Sequence, residues 1–572
     1  MARTCDALYI LFVNEMYQYR DNEKKTLRGK RLHCERFLHK IVKYYSEVIK
    51  ISEDLRGLTM EYLIGVDLGT TSTKAVLFDT EGHVIASANK GYKLYRDEPD
   101  MAEEDLNEIW EAFVDAMTEV VRGANGGKIL GVSFSSAMHS LIAFDKDWQP
   151  LTRVITWADT RAVKYTEELK STGLGQEIYS KTGTPIHPMA PLSKMLWLKN
   201  EKPDIYNNAA HYLGIKEYLF NRLFGANKMD ISIASGTGMF NIFNLDWDEQ
   251  ALEVTGIKKE QMPQPVEPYE IERGMVAEYA AVMGLDIDTP FVYGAGDGPL
   301  SNLGVNAVQP GVAAVTIGTS GAIRVVTDAP KIDPKGRTFT YALDKDHWVV
   351  GGPVNNGGDV FRWARDKMFD AEKSTAALMG VDTYDLLTEI ASKIPAGADG
   401  LLFHPYLGGE RAPIWDANAR GSFFGLTHNH TRAHMVRAVL EGIIFNIYMV
   451  ALALEEVVGD LKSVQATGGF ARSALWRQMT ADIFEQPVTV PTAFESGALA
   501  ATVMAQKALG MVDSLDVIGD MVGDSNTYDP NPENYEAYRE LTPIFIRLAR
   551  QLQTEYANIA NFQRKHVNKG DK

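Results

Sequence analysis

The chain has 572 residues, of which 45% are hydrophobic and 23% charged, and its formal net charge is −17. This composition is that of globular proteins, so it excludes a disordered, collagen-like or coiled-coil protein, and the length predicts two or more domains. The acidic total argues against nucleic acid or a membrane surface as the main partner, because both attract clustered Lys and Arg. The two cysteines, Cys5 and Cys34, are too few for a disulfide framework, so we expect a reducing, cytoplasmic location.

Hydrophobic runs in the sequence predict no membrane span. The longest run, residues 443–454, contains Asn446 and is much shorter than the roughly twenty residues that a span needs. Near the N-terminus, residues 8–13 are too few for the apolar region of a signal peptide.

The first 59 residues differ from the rest of the chain. They hold 12 basic residues, 8 acidic residues and both cysteines, so their net charge is +4 while residues 60–572 carry −21. Met60 is followed at once by an apolar, strand-like run at residues 62–66. We therefore predict that Met60 is the natural start and that residues 1–59 are an extension outside the core. The alternative is a basic regulatory or docking arm.

From Met60 onward, predicted strands alternate with predicted helices, which indicates an α/β fold. The pattern predicts strands at residues 62–66, 74–79, 83–87, 129–135, 141–144, 291–293 and 312–317. It predicts helices at residues 103–121, 164–170, 194–199, 216–223, 360–367, 435–457, 474–484 and 497–509. Because tight turns join the first three strands, we expect them to form an antiparallel meander.

Two distant segments of the chain resemble each other. Residues 66–76 read VDLGTTSTKAV, and residues 315–326 read VTIGTSGAIRVV. Each is an apolar strand followed by Gly-Thr, further small or hydroxyl residues and a basic residue that enters a second strand. The repetition predicts two related halves that face one another, and a chance match of so short a string is the alternative.

The first of these segments contains a turn that suits the phosphates of a nucleotide. Gly69 lets the backbone turn sharply and brings its amides close to a ligand. Thr70 and Thr71 add hydroxyl donors, and Lys74 adds a cation. An ordinary hairpin is the alternative, because Gly-Thr turns are common.

The second segment repeats this turn at Gly318 and Thr319, and the pair of turns makes phosphate binding the favoured interpretation. Asp67, just before the first turn, cannot sensibly contact a phosphate directly. We expect a carboxylate at that position to hold Mg²⁺, either directly or through water.

Asp297 is the candidate general base. It follows the predicted strand at residues 291–293 within the sequence Gly-Ala-Gly-Asp-Gly. The flanking glycines leave room for a substrate, and a carboxylate at a strand end can accept a proton from a hydroxyl. The alternative is an aspartate that caps a helix at residues 299–304.

From about residue 61 to residue 510, the chain resembles the FGGY carbohydrate kinases of the actin/Hsp70/hexokinase superfamily. The family's successive blocks are matched in order by IGVDLGTTSTKAVLFD, GAGDGPLSNLG, IGTSGAIR, GERAPIWDANARG and ATGGFARSALWRQMTAD. Five further segments of this chain resemble the gluconokinase branch more than other branches of the family. They are FSSAMHSLIAFD, ITWADTRA, KTGTPIHPMAPLSKM, GIKEYLF and VGGPVNNGGDVFRW.

The resemblance implies an α/β fold of two ribonuclease-H-like domains around a central cleft. The expected division is an extension at residues 1–59, an N-terminal domain at 60–305, a C-terminal domain at 306–550 and a tail at 551–572. ATP and a sugar would bind between the two domains. By analogy with relatives, a homodimer is possible.

The resemblance also assigns roles to individual residues. Asp297 would be the base, and Asp67 would belong to the Mg²⁺–phosphate network. Phosphate contacts would come from Thr70, Thr71, Lys74, Gly318 and Thr319, the adenosine pocket from Gly357, Gly358, Gly468, Gly469 and Ser473, and the sugar site from Met138, His139, Trp157, Asp159 and Arg161. Phe470 departs from the glycine-rich pattern of relatives, which leaves the adenine contacts open.

The reaction implied by the resemblance is ATP-dependent phosphorylation of D-gluconate at O6. The carboxylate of gluconate calls for a partner with fork-like donors, and Arg161 is the favoured candidate, ahead of His139 and Arg411. The alternative for Arg161 is an ion pair with Asp159 or Asp145 that only shapes the pocket.

Three other functions stay open at this point. The scaffold could phosphorylate a different sugar or polyol, such as xylulose, glycerol or ribulose. An Hsp70-like ATPase and an actin-like filament former share the Asp-Leu-Gly-Thr-Thr turn. The chain has no peptide-binding β-domain after its two halves, which argues against the Hsp70-like function.

Overall fold

A computed structural model describes residues 60–98, 100–491, 496–523 and 525–566 of the chain. The chain divides into two compact units, Met1–Met60 and Glu61–Lys572, and the second one is described below. The predicted extension at residues 1–59 lies outside the described residues, as do the last residues of the predicted tail.

The N-terminal half of the second unit is built on a six-stranded sheet. Its strands are β1 (Glu61–Leu68), β2 (Ser72–Asp79), β3 (Val84–Gly91), β4 (Lys128–Ser136), β5 (Ile271–Glu272) and β6 (Phe291–Gly296). Their order in the sheet is β5-β6-β4-β1-β2-β3. The first three strands form the predicted antiparallel meander, whereas β4 lies parallel to both β1 and β6.

The C-terminal half is built on a seven-stranded sheet. Its strands are β7 (Val312–Ile317), β8 (Gly321–Thr327), β9 (Phe339–Ala342), β10 (Trp348–Val354), β11 (Ser463–Thr467), β12 (Val488–Pro491) and β13 (Ser525–Tyr528). Their order is β9-β10-β8-β7-β11-β12-β13. Neighbouring strands in the block β10-β8-β7-β11-β12 are antiparallel, antiparallel, parallel and parallel in turn. The block β3-β2-β1-β4-β6 of the N-terminal sheet has the same pattern. The prediction of two related ribonuclease-H-like halves is therefore confirmed.

Short strands and single turns of 3₁₀-helix connect these elements. The short strands are Leu94–Tyr95, Glu103–Glu104, Ile142–Phe144, Val154–Ile155, His211–Leu213, Lys228–Asp230, Phe240–Asn241, Asp246–Trp247, Gln264–Val266, Leu402–His404 and Ser422–Phe424. The 3₁₀ turns are Lys259–Gln261, Ala398–Gly400, Gly469–Arg472 and Leu515–Val517.

Helices cover both sheets. Those of the N-terminal half are α1 (Leu106–Gly123), α2 (Val163–Ser171), α3 (Leu174–Thr182), α4 (Pro191–Glu201), α5 (Pro203–Asn208), α6 (Ile215–Phe224), α7 (Ile231–Ser235), α8 (Glu249–Thr255), α9 (Ala277–Met283) and α10 (Asp297–Leu303). Those that follow are α11 (Gly358–Lys367), α12 (Asp370–Met379), α13 (Thr383–Ser392), α14 (Arg432–Val458), α15 (Ala474–Phe484), α16 (Ser496–Ala508), α17 (Ile518–Met521), α18 (Pro532–Gln551) and α19 (Gln553–His566). Each predicted helix is present, with ends shifted by no more than a few residues.

Local chemistry explains where helix α1 begins and which face it buries. The side chain of Asp105 accepts hydrogen bonds from the backbone of Asn107 and Glu108, which satisfies two donors of the first turn. Ile109, Phe113 and other apolar residues at spacings of three and four then face β2 and β3.

Among the described residues, one helix, α14, is long and apolar enough to cross a membrane. It is largely apolar because it lies in the C-terminal core, where most of its side chains are buried.

Helix α16 comes late in the chain but packs against β1 and β4 of the N-terminal sheet. The approach is close, since a Cβ atom on Gly65 would lie 2.0 Å from the carbonyl oxygen of Ala498. This contact ties the late segment to β1, the strand that carries Asp67.

Candidate active site

The first glycine-threonine turn joins β1 to β2 and is held by several hydrogen bonds. The amide of Gly69 donates to the carbonyl of Ser72 (3.0 Å), and the hydroxyl of Tyr92 donates to the carbonyl of Gly69. The indole nitrogen of Trp157 donates to the hydroxyl of Thr70 (2.9 Å). Thr71 lies exposed at the tip of the turn. The turn is therefore fixed in place and linked directly to one residue of the predicted sugar site.

Asp67 and Lys74 lie opposite each other at the start of this turn. They are partners in the register of β1 and β2. The hydroxyl of Ser135, on neighbouring β4, donates to the Oδ1 atom of Asp67 (2.8 Å). The base of the first turn thus presents a carboxylate and an ammonium group side by side.

The second turn, at Gly318 and Thr319, is exposed and packs against the start of helix α11. The amide of Gly358 donates to the carbonyl of Gly318 (2.7 Å), and the amide of Asp359 donates to the carbonyl of Thr319 (3.2 Å). A Cβ atom on Gly358 would lie 2.6 Å from the carbonyl oxygen of Gly318. Only glycine allows this contact without a shift of the turn.

The glycines after β11 lie at the same edge of the C-terminal sheet, because β11 runs parallel to β7. A Cβ atom on Gly468 would lie 2.5 Å from the carbonyl oxygen of Ile317, whereas Gly469 faces open space. The hydroxyl of Ser473 accepts from the amide of Trp476 and caps helix α15. Phe470 is buried in the core against Trp476, so its ring points away from this edge.

Asp297 is the first residue of helix α10, directly after β6. The helix cap is Gly296, and the Oδ1 atom of Asp297 accepts from the adjacent amide of Gly298 (2.7 Å). Asp297 therefore does not act as the helix cap that the alternative interpretation required.

Burial and the negative charge of Asp67 raise the pKa of Asp297 to about 6, while the positive charge of Arg324 opposes the rise. A carboxylate with such a pKa is largely ionised at neutral pH and can still accept a proton readily. The arrangement can activate a hydroxyl group.

Met138 and His139 follow β4 and form a wall beside Asp297. A Cβ atom on Gly296 would lie 2.8 Å from the sulfur of Met138, so the glycine leaves room for the methionine. The Nδ1 atom of His139 lies 2.6 Å from the carbonyl oxygen of Gly236, and its Nε2 atom lies 3.4 Å from the hydroxyl of Tyr341.

Burial lowers the pKa of His139 to about 3, so the ring is neutral. A carbonyl oxygen only accepts hydrogen bonds, and Nδ1 must therefore carry the proton. Its Nε2 atom is then an acceptor.

Arg161 is engaged with two carboxylates. Its Nε atom donates to Asp159 (2.9 Å), and its Nη2 atom donates to Glu103. Asp159 is buried and also accepts from the amide of Ala102 (2.9 Å). The guanidinium stacks over the ring of Trp197. This geometry corresponds to the alternative in which Arg161 pairs with Asp159 and shapes the pocket.

The structure adds three residues to this wall that the sequence analysis did not name as site residues. Tyr341 comes from β9 and stands next to His139. Lys194 is buried and donates to the carbonyls of His139 and Met189. Arg324, on β8, lies beside the start of helix α10. Arg324 had a sequence signal, since it is the basic residue that enters the second strand in one of the repeated segments.

Comparisons with known proteins place this site in a family. The family model described as the N-terminal domain of FGGY carbohydrate kinases matches residues 62–304, and the one for the C-terminal domain matches residues 313–509. The chain belongs to the FGGY family of carbohydrate kinases. The domain boundaries at residues 305 and 550 stay predictions.

Among characterised FGGY relatives, the chain is 51% identical over 504 residues to the gluconokinase of Bacillus subtilis, covering 88% of this chain and 98% of that one. It is 28% identical over 514 residues to a xylulose kinase of Staphylococcus epidermidis, covering 88% and 100%.

Two solved structures from Lactobacillus acidophilus are similar to this FGGY kinase. A gluconate kinase matches with a TM-score of 0.84 and 44% identity over 87% of this chain and all of that one. A ligand-bound xylulose kinase matches with a TM-score of 0.83 and 43% identity, and the match covers 87% of this chain and all of that one.

Proposed function

We propose that the protein is a gluconokinase, which transfers the γ-phosphoryl group of ATP to O6 of D-gluconate and releases 6-phospho-D-gluconate and ADP. The observation that carries this proposal is the 51% identity to the gluconokinase of Bacillus subtilis over 88% of the chain, against 28% to the xylulose kinase of Staphylococcus epidermidis. The site geometry supports a kinase, because the carboxylate of Asp297, directly after β6, interacts electrostatically with Asp67 at the base of the first glycine-threonine turn.

Asp297 is the general base in this proposal. It orients the O6 hydroxyl and accepts its proton while the oxygen forms a bond to the γ-phosphorus and the bond to the β,γ-bridging oxygen breaks. The transferred group is loose and anionic in the transition state, so positioning and charge stabilisation supply most of the rate enhancement.

The two turns hold the phosphates. Thr70, Thr71 and Lys74 contact them from the N-terminal half, and Gly318 and Thr319 contact them from the C-terminal half. The contact between Gly358 and Gly318 keeps the second turn in place. Backbone amides and a cation are the groups that phosphates require, and they stabilise the negative charge that moves to the leaving oxygen.

The residues around Asp67 fit a Mg²⁺ ion that arrives with the nucleotide. Asp67 offers a carboxylate held by Ser135, and a Cβ atom on neighbouring Gly497 would still lie 3.9 Å from its Oδ1 atom. Within the described part of the chain, no group of three or more metal-binding side chains is present, and Mg²⁺ commonly uses one or two carboxylates plus phosphates and water. When bound, the ion neutralises phosphate charge.

The remaining predicted residues receive supporting roles. The adenosine part of ATP lies along the sheet edge formed by Gly357, Gly358, Gly468, Gly469 and Ser473. Met138, His139 and Trp157 line the gluconate site, and Asp159 and Arg161 support its wall. A homodimer and a cytoplasmic location stay predictions.

A substrate panel tests the proposal. ADP release is measured with D-gluconate, D-xylulose, glycerol and D-ribulose under the same conditions, and kcat/KM for gluconate should exceed each of the others by at least about 100-fold. A preference for another substrate would identify a different FGGY kinase. ATP hydrolysis at a rate that none of the four compounds changes would favour the Hsp70-like alternative.

A further inference from the structure

Arg324 has polar groups that nothing in the described protein satisfies. It lies in the middle of β8, between the apolar residues Ile323 and Val325. Its Nε and Nη1 atoms are buried and, among the described residues, have no hydrogen-bond partner. A Cβ atom on Gly298 would lie 3.7 Å from this Nε atom, so the guanidinium lies beside the first turn of α10, which begins with Asp297.

Arg411 is a second guanidinium with an unused donor. Its Nη2 atom donates to the carbonyl of Val354 (3.1 Å), and its Nε atom is buried without a partner in the described part of the chain. Its guanidinium carbon lies 5.4 Å from the ring of Trp157.

The neighbouring carboxylate, Glu410, is occupied by other groups. It accepts from the amides of Asn355 and Arg411 and from the side-chain amides of Asn356 and Asn446. Glu410 therefore holds the backbone at this point, and none of its recorded hydrogen bonds comes from the Arg411 guanidinium.

The two guanidinium groups interact electrostatically with each other and with a shared neighbour. The charge of Arg324 acts on both Asp297 and Tyr341, and the charge of Arg411 acts on Tyr341 and Arg324. Burial lowers the pKa of Arg411 to about 10, although Glu410 opposes the fall, and the like charge of Arg324 adds to it. Buried donors without partners are costly, and two like charges close together add to that cost. An anion between them would offset both effects.

The other cations of the wall are engaged. Arg161 donates to Asp159 and Glu103, and Lys194 donates to two backbone carbonyls. Gluconate carries its carboxylate at the opposite end of the chain from O6, so its receptor must lie within one substrate length of Asp297. Arg324, beside the start of α10, and Arg411, next to Trp157, are cations of this region with buried donors that have no partner among the described residues.

We propose that Arg324 and Arg411 together bind the carboxylate of the acceptor substrate and make this site specific for a sugar acid. The inference rests on the proposed gluconokinase function. It assigns the role expected of Arg161 to residues whose N–H groups are available. A fork of guanidinium donors matches a carboxylate and leaves unmet donors when the substrate is neutral.

The test compares a charged and a neutral acceptor of nearly the same shape. D-Gluconate and D-gluconamide share O6 and all other hydroxyls, but the amide has no charge. Wild-type protein, Arg324→Met, Arg411→Met and Arg161→Met are assayed on both. We expect the first two variants to lose at least about 100-fold in kcat/KM for gluconate and less than about 5-fold for gluconamide.

Controls separate folding from recognition. Arg432→Met removes an exposed arginine that pairs with Glu372. It should leave kcat/KM unchanged for both gluconate and gluconamide. Arg324→Lys keeps the charge but loses the forked pair of donors. Its kcat/KM for gluconate should lie between the values of wild type and Arg324→Met. Calorimetric binding of ATP, which should stay within about twofold of wild type, reports whether each variant is folded. If Arg324→Met fails this check, Arg324→Lys and Arg411→Met carry the test.

The outcomes distinguish a failure of this inference from a failure of the proposed gluconokinase function. Equal losses on gluconate and gluconamide in the Arg324 and Arg411 variants, or a selective loss only in Arg161→Met, would overturn the inference while wild type still prefers gluconate. A raised KM for ATP in Arg324→Met would also overturn it, because that arginine would then contact the phosphates. A wild-type protein that ignores gluconate would instead refute the proposed function.

Discussion

Asp67 and Asp297 stand at the carboxyl ends of β1 and β6, the two strands that lie parallel to β4 on either side of it. The charge of Asp67 adds to the effect of burial on the pKa of Asp297, which rises to about 6. One carboxylate is placed beside the first glycine-threonine turn and the other at the start of α10. The parallel strands thus bring together two acidic groups that the sequence separates widely, and the proposed function gives them different tasks.

Replacing Asp297 with asparagine should remove the base without changing the shape of the site. Asparagine can still accept from the amide of Gly298, so helix α10 should begin at the same residue. We expect kcat to fall at least about 100-fold, with an unchanged affinity for ATP by calorimetry. Near-normal turnover of a variant that still binds ATP would exclude Asp297 as the base.

The pH dependence of the reaction should report the same group. Asp297 must be ionised to accept a proton, so kcat/KM should be constant above its pKa and should fall as the pH drops through about 6. Because the charge of Arg324 lowers this pKa, Arg324→Met should move the acid limb to higher pH. Gluconamide is the suitable substrate for this comparison, since its binding does not depend on a carboxylate. If kcat/KM falls at the same pH in Arg324→Met as in wild type, the predicted interaction between Arg324 and Asp297 would be contradicted.

Much of this architecture could be predicted from the sequence, and the exceptions have physical causes. The turns at Gly69 and Gly318 and the strand end at Asp297 are local signals, because turn residues and apolar runs lie next to each other in the chain. The partners of Arg161 could not be predicted with equal certainty, since Glu103 lies 58 residues away and meets it only in the folded protein. Arg324 had a signal in the repeated segment, but its unpartnered donors could not be predicted, because only the folded protein shows which donors are buried without a partner.

Gly358→Ala should impair the ATP side of the site. The added Cβ would lie 2.6 Å from the carbonyl oxygen of Gly318, so the second phosphate turn must shift. We expect the KM for ATP to rise about tenfold while the KM for gluconate changes little. Gly91→Ala is the matched control, because the nearest atom to its Cβ would be 3.6 Å away. Equal behaviour of the two variants would show that the turn tolerates the shift.

Arg161→Met should act mainly on stability. The change leaves Asp159, which is buried, and Glu103 without their shared guanidinium, and breaking such a pair typically costs about 3 kcal/mol. Urea unfolding followed by tryptophan fluorescence measures the loss. Any change in kcat/KM should be similar for gluconate and gluconamide. A stable variant with a selective loss on gluconate would instead return Arg161 to the role of carboxylate ligand.

Removing residues 2–59 should leave catalysis intact. The family match begins at residue 62, and both glycine-threonine turns, Asp297, Arg324 and Arg411 lie in the unit Glu61–Lys572. We expect kcat and both KM values to stay within about twofold of the full chain, measured on protein whose thermal unfolding is also compared. A soluble, folded truncation without activity would show that the basic segment contributes to the enzyme, as the alternative of a regulatory or docking arm requires.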